Sequence, residues 1–183
     1  MKSLVMLAAL GGIAAAEPAP NPDFVPAKAP STVVTEPASG ARSAIEPTEI
    51  VMFDLNSATL YDASLDQVER VAAWLKRHPG YNLAIEGHTD KLGTPGYNND
   101  LAMTRAAAVQ SRLNAHGIPN DRLVLVGFGE NGASATENHN DRRVVMYATK
   151  LNGSQLAAMD VRRGALRATW FERGTAFDMV GKQ

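Results

Sequence analysis

Leu83-Ala84-Ile85-Glu86-Gly87-His88-Thr89-Asp90 is the stretch on which the fold turns. Leu83 to Glu86 reads as a strand, and Gly87-His88-Thr89-Asp90 leaves it for a loop, Lys91 to Gly96, rich in turn residues. A helix is predicted next, from about Asn98 to His116. Its apolar stripe is Ala102, Ala106, Val109 and Leu113, and Gly117 stands where a C-terminal cap belongs, with Pro119 just beyond. Upstream the pattern is the same. Ile50 to Leu55 reads as a strand, and a helix follows from about Asp62 to His78, its Leu65, Val68, Ala72 and Leu75 stepping by three and four. Asp62 is the expected N-cap, and Pro79-Gly80 the stop. Downstream, Leu123 to Val126 is a third strand, Gly129 to Asp141 a polar loop, and Arg143 to Ala148 a fourth strand. The order βαβαββ predicts an α+β domain: a two-layer sandwich of a four-stranded mixed sheet with two main helices on one face.

The flanks differ from this core. Residues 1–16 read as an export signal: Lys2 gives a basic start, Leu4 to Ala16 is apolar or small, and Ala14-Ala15-Ala16 is a small-x-small cleavage pattern before Glu17. Residues 17–48 read as a linker. Seven of the 10 prolines fall here, and no apolar periodicity could build a core. The folded domain is placed at 49–150. Residues 151–183 form an extension of unassigned role, in which a helix from Ser154 to Arg163 and a hairpin turning at Glu172-Arg173-Gly174 are both arguable.

Bulk composition excludes several functions. The formal net charge is −1, without the basic stripe of a nucleic-acid binder. With no cysteine, disulfides, thiol catalysis and a lipid-bearing cysteine are ruled out for these 183 residues. Glu86, His88 and Asp90 alternate as a metal or general-base site might require, but His78, His116 and His139 show no ligand spacing relative to them. No Gly-x-Ser-x-Gly nucleophile motif is present. An enzyme, a cofactor and a metal are therefore not expected.

A set of short segments carries the functional signal. These are Phe53-Asp54-Leu55-Asn56, Gly87-His88-Thr89-Asp90, Gly93-Thr94, Tyr97-Asn98, Leu101-Ala102-Met103-Thr104-Arg105-Ala106, Gly127-Phe128-Gly129-Glu130 and Arg142-Arg143-Val144. In this order and spacing, over about residues 50 to 148, the chain resembles the peptidoglycan-binding family of outer-membrane protein A, peptidoglycan-associated lipoprotein and flagellar motor protein B. The resemblance implies an OmpA-like domain that binds the diaminopimelate of the peptidoglycan stem peptide, whose side chain ends in an ammonium and a carboxylate. It places the anion of the receptor on Asp90 and the cation on Arg105. Asn56, Leu55, Thr94, Asn98 and Leu101 then line or shape the pocket, and Arg142 assists.

The residues themselves support this in part. Arg105 lies roughly 60° from Ala102 on a helical wheel, at the border of the apolar stripe, and its planar fork suits a carboxylate. The plain alternative is a salt bridge between Asp90 and Arg105. Asn98 also reads as a helix cap, and Asp141, where the family usually has asparagine, could draw Arg142 into a local ion pair. The implied role is a non-covalent tether on the cell wall, in the periplasm or associated with the outer membrane, with an envelope protein as a further partner through the linker or the C-terminal extension. A scaffold of the same fold without wall binding is the alternative.

Overall fold

The computed structural model describes residues 48–182. The export signal (1–16) and nearly all of the linker (17–48) lie outside the described residues. Within them the order is β1 (Thr48–Met52), α1 (Asp62–Arg77), β2 (Asn82–His88), α2 (Pro95–Ala115), β3 (Leu123–Gly129), β4 (Arg143–Thr149), α3 (Gly153–Arg162), β5 (Arg167–Glu172) and β6 (Thr175–Val180). One sheet runs β1-β4-β2-β3-β5-β6. Only β2 and β3 are parallel; the other neighbours are antiparallel.

The strands are built on period-two alternation. Leu83 and Ile85 of β2, Leu123 and Leu125 of β3, and Val144 and Met146 of β4 face one way. They meet Val68, Val71 and Leu75 of α1 and Ala106, Val109 and Leu113 of α2 in one core. Gly87 and Gly127 are paired across β2 and β3. A Cβ on Gly87 would lie 2.0 Å from the Ala102 carbonyl oxygen, and one on Gly127 2.9 Å from the Met103 side chain. The two glycines let α2 lie close against the ends of β2 and β3, and this approach sets the height of Arg105, one turn after Ala102.

The expected mixed sheet with α1 and α2 on one face is present, and four details are corrected. The sheet has six strands, not four, because β5 and β6 extend it beyond β3. The architecture has three layers rather than two. Ala84, Val124, Val126, Phe128 and Tyr147 point to the second face, where Leu156 and Ala157 of α3, with Ala168 and Trp170 of β5, bury them. Both alternatives for residues 151–183 are realised, a helix and then a hairpin. Asn152 caps α3 by accepting from the Gln155 amide at 2.9 Å, and Gln155 returns the contact to the Asn152 amide at 3.1 Å. Finally, the helix starts shift. Tyr61, not Asp62, stands at the N-cap of α1, so the Asp62 carboxylate meets the positive helix end from within the first turn. In α2, Thr94 caps by accepting from the Tyr97 amide at 3.3 Å, and Pro95 opens the helix, so Asn98 is not its cap.

Candidate functional site

Arg105 is wholly buried, with 0% of its surface exposed. Its Nε donates to the Ser57 carbonyl at 2.8 Å, Nη1 to that of His88 at 2.9 Å and Nη2 to that of Asp54 at 3.0 Å. The guanidinium carbon lies 5.3 Å from the centre of the Phe53 ring. The β1–α1 turn and the end of β2 are thus tied together by one side chain. A guanidinium has five N–H donors, and these contacts use three of them. Among the described residues no carboxylate lies within 4.0 Å of it. Burial pulls its pKa down to about 10, against the opposing pull of Asp90 nearby, so it remains a cation at neutral pH.

Asp90 is buried and does not pair with Arg105. Its Oδ2 accepts from Arg142 Nη1 at 2.9 Å and from the Asn138 amide at 3.4 Å, and its Oδ1 from the Leu92 amide at 3.4 Å. Arg142 is also held at the Phe53 carbonyl, at 3.4 Å. Asp141 does not divert it. That carboxylate accepts from the Ser134 amide and hydroxyl, both at 2.8 Å, and lies 3.5 Å from Arg143. The simple Asp90–Arg105 salt bridge is therefore absent, and the acid's partner is Arg142.

The remaining expected residues divide. Leu55 and Asn56 lie in the turn whose Asp54 and Ser57 carbonyls hold Arg105. Leu55 is 46% exposed, and Asn56 takes a left-handed backbone, φ 54°. The Asn56 side-chain carbonyl accepts from the Tyr97 hydroxyl, joining this turn to the start of α2. Thr94 acts as the cap described above. Leu101 is partly buried on α2, one turn before Arg105. Asn98 turns elsewhere: it is buried and donates to Glu130 at 2.6 Å, and its Oδ1 has no partner among the described residues. Sequence reasoning passed over Tyr97 as a contact, and over the carbonyls of Asp54, Ser57 and His88. Backbone acceptors leave no side-chain signature.

Glu86, His88 and Asp90 do not form one group. Glu86 and His88 point to the second face, against α3, and the His88 Nε2 lies 3.9 Å from Glu86. Burial lowers the His88 pKa, which favours its neutral form. Among the described residues no group of three His, Cys, Asp or Glu could hold a metal ion.

The OmpA family matches residues 52–146, which run from the last residue of β1 into β4 and include Asp90, Arg105 and Arg142. The peptidoglycan-associated lipoprotein of Rhizobium meliloti is 32% identical over 130 residues, covering 71% of this chain and 73% of that protein. That of Brucella melitensis is 33% identical over 93 residues, covering 51% and 55%. The chain thus spans little more than half of the Brucella relative. Among solved structures, the peptidoglycan-associated lipoprotein of Burkholderia pseudomallei superposes with a TM-score of 0.50 at 28% identity, over 55% of this chain and 89% of that one. An OmpA-like domain from Francisella tularensis gives 0.51 at 20% identity, over 56% and 70%, and shares the fold. Helix α3 and strands β5 and β6 lie beyond the matched residues. On the family match, the relatives and the fold together, the chain belongs to the OmpA family.

Proposed function

We propose that this protein binds peptidoglycan non-covalently, taking the zwitterionic end of diaminopimelate between Asp90 and Arg105. The carrying observation is the surplus cation: Arg105 is buried beside Asp90 with no carboxylate of its own and with two N–H donors still free of the contacts described. A buried charge without a counter-ion is costly, and a ligand carboxylate would offset that cost. Asp90 supplies the acceptor for the ligand ammonium, and Arg142 shares it. Leu55, Asn56, Thr94 and Leu101 form the surrounding wall, with Asn98 supporting it through Glu130. Because Arg105 is fully covered, a ligand must first displace part of its cover.

The names of the relatives support wall association and a place in the cell envelope. On this reading the protein is a binding module rather than an enzyme, without cofactor, metal or nucleic-acid partner. It is exported through residues 1–16 to the periplasm and associated there with the outer membrane, the linker or C-terminal region meeting an envelope protein. One observation favours the alternative of a scaffold that does not bind the wall: Asp90 is already bridged by Arg142 at 2.9 Å.

Pull-down with purified insoluble sacculi separates the two. The wild-type protein should sediment with diaminopimelate-containing sacculi, and Asp90→Ala, still folded by circular dichroism, should remain in the supernatant. Losing one partner of a buried charge pair commonly costs about 2–5 kcal/mol, which weakens binding more than tenfold. Equal sedimentation of folded Asp90→Ala and wild type would remove Asp90 from the site.

A further inference from the structure

His88 carries a contact on each face of the sheet. Its carbonyl accepts from Arg105 Nη1 at 2.9 Å. Its ring stacks on Phe128, with centroids 4.9 Å apart and planes 10° from parallel, and sits beside Glu86 on the opposite face. That ring belongs to a larger assembly. Arg163, just past the end of α3, donates through Nη1 to Glu86 at 2.5 Å and to Asp160 at 2.6 Å. Its guanidinium carbon lies 5.4 Å from the centre of the same Phe128 ring. The Tyr147 hydroxyl donates to Asp160 at 3.1 Å, closing the group from β4.

Residue 88 is also where the β2–β3 register slips: Gly87 pairs with Gly127, but His88 pairs with Gly129. At such an irregularity the ladder is locally disrupted. The peptide that carries the His88 carbonyl is anchored at its Thr89 amide, which donates to the Gly129 carbonyl at 2.8 Å, while the His88 side chain is clamped by Phe128 and Glu86, with Arg163 behind them.

We propose that Arg163, Glu86 and Phe128 are positioning residues for Arg105, and that α3 tunes the site from the far face of the sheet through His88. Its meaning for ligand binding rests on Arg105 being the ligand's cation; the coupling itself does not. The element that does the tuning lies outside residues 52–146, which the family match covers.

Arg122 supplies an internal control. It too donates to three backbone carbonyls, of Tyr81, Leu75 and His78, at 2.9, 3.0 and 2.8 Å. These carbonyls belong to α1, the residue after it and the residue before β2, and to none of the groups that clamp His88.

The test is hydrogen exchange of the arginine Nε–H protons by NMR on the full chain without ligand. In Arg163→Met, the Arg105 Nε–H should exchange about tenfold faster than in wild type while that of Arg122 keeps its rate, the mark of local rather than global opening. Phe128→Leu removes the stacking ring without touching a charge and should give the same selective change if Arg163→Met fails to fold. Equal acceleration at both arginines, or an unchanged Arg105 in the folded variants, would overturn the coupling. Wild-type failure to sediment with sacculi would instead overturn the binding reading and leave the coupling to be judged by exchange alone.

Discussion

Two charged groups lie back to back at the end of β2, and their surpluses are opposite. On the α2 side two guanidiniums, Arg105 and Arg142, face one carboxylate, Asp90. On the α3 side two carboxylates, Glu86 and Asp160, share one guanidinium, Arg163. The difference bears on the proposed binding site. The extra positive charge cannot be discharged by an arginine at neutral pH, and under the proposed function a ligand anion meets it. The extra negative charge can be discharged by taking up a proton. Burial and the neighbouring Glu86 push Asp160 up to about 7, against the pull of Arg163. Burial works against the ionised form of Glu86 too, but His88 and Arg163 outweigh it and hold its pKa below the usual carboxylate range. The far-face group therefore settles its charge internally, and the near-face group does not.

The comparison breaks most completely if the far face is stripped. Ending the chain at Lys150 removes α3, β5 and β6, uncovering Val124, Val126 and Phe128 and leaving Glu86 without Arg163. Burying each of those three apolar side chains contributes about 1.5–3 kcal/mol, together a large part of the roughly 5–15 kcal/mol that holds a whole domain. Residues 49–150 alone should show no cooperative unfolding transition by circular dichroism. A sharp transition would mean that α3 and the hairpin are accessory.

The next largest effect is Arg105→Ala. It strands three partly buried carbonyls, each costing up to about 1–3 kcal/mol when left without a partner, so urea denaturation should report a loss of about 3 kcal/mol. A loss under about 1 kcal/mol, typical of surface changes, would mean that the three bonds contribute little to stability.

The effect that is smallest per step of one pH unit concerns titration. An aspartate titrates near 3.9 when unfolded and near 7 in this fold. Between those values the folded chain binds the extra proton, so the Asp160 contribution to stability is largest in acid and declines as pH rises from about 4 to about 7. The slope is at most about 1.4 kcal/mol per pH unit. The lowered Glu86 acts oppositely, its contribution being lost only as pH falls below the ordinary glutamate range. Asp160→Asn should remove the decline, so that wild type and variant diverge in denaturation midpoint between pH 4.5 and 7.5. Parallel pH profiles would show that Asp160 carries no shared proton.

The four strands and two helices of the matched region could be read from alternation and three-four stepping, whereas Asp90, Arg105 and Arg142 came forward as a charged set only through the family resemblance. Alternation alone leaves the second face of the sheet unassigned. Ala84, Glu86 and His88 look like a solvent face, and nothing local says that Leu156 and Trp170, far along the chain, cover it. Glu86 became buried because Arg163, 77 residues away, neutralises it. The Asp90–Arg142 pairing was hidden for a similar reason. It depends on the path of residues 130–141, where the Ser134 amide and hydroxyl occupy Asp141 and leave Arg142 to reach Asp90. The position of Arg105 at the edge of the α2 stripe was visible; its bonds to backbone carbonyls were not.

In the proposed complex Arg105 holds a ligand carboxylate while Asp90 holds the ammonium on the same carbon. Calorimetric titration of the full chain with two soluble muropeptides, one carrying diaminopimelate and one carrying lysine in its place, tests it directly. Lysine keeps the ammonium and lacks the carboxylate. The diaminopimelate muropeptide should bind more than tenfold tighter, since losing the partner of a buried charge costs about 2 kcal/mol or more. Equal affinity for both, or no heat from either, would contradict the account.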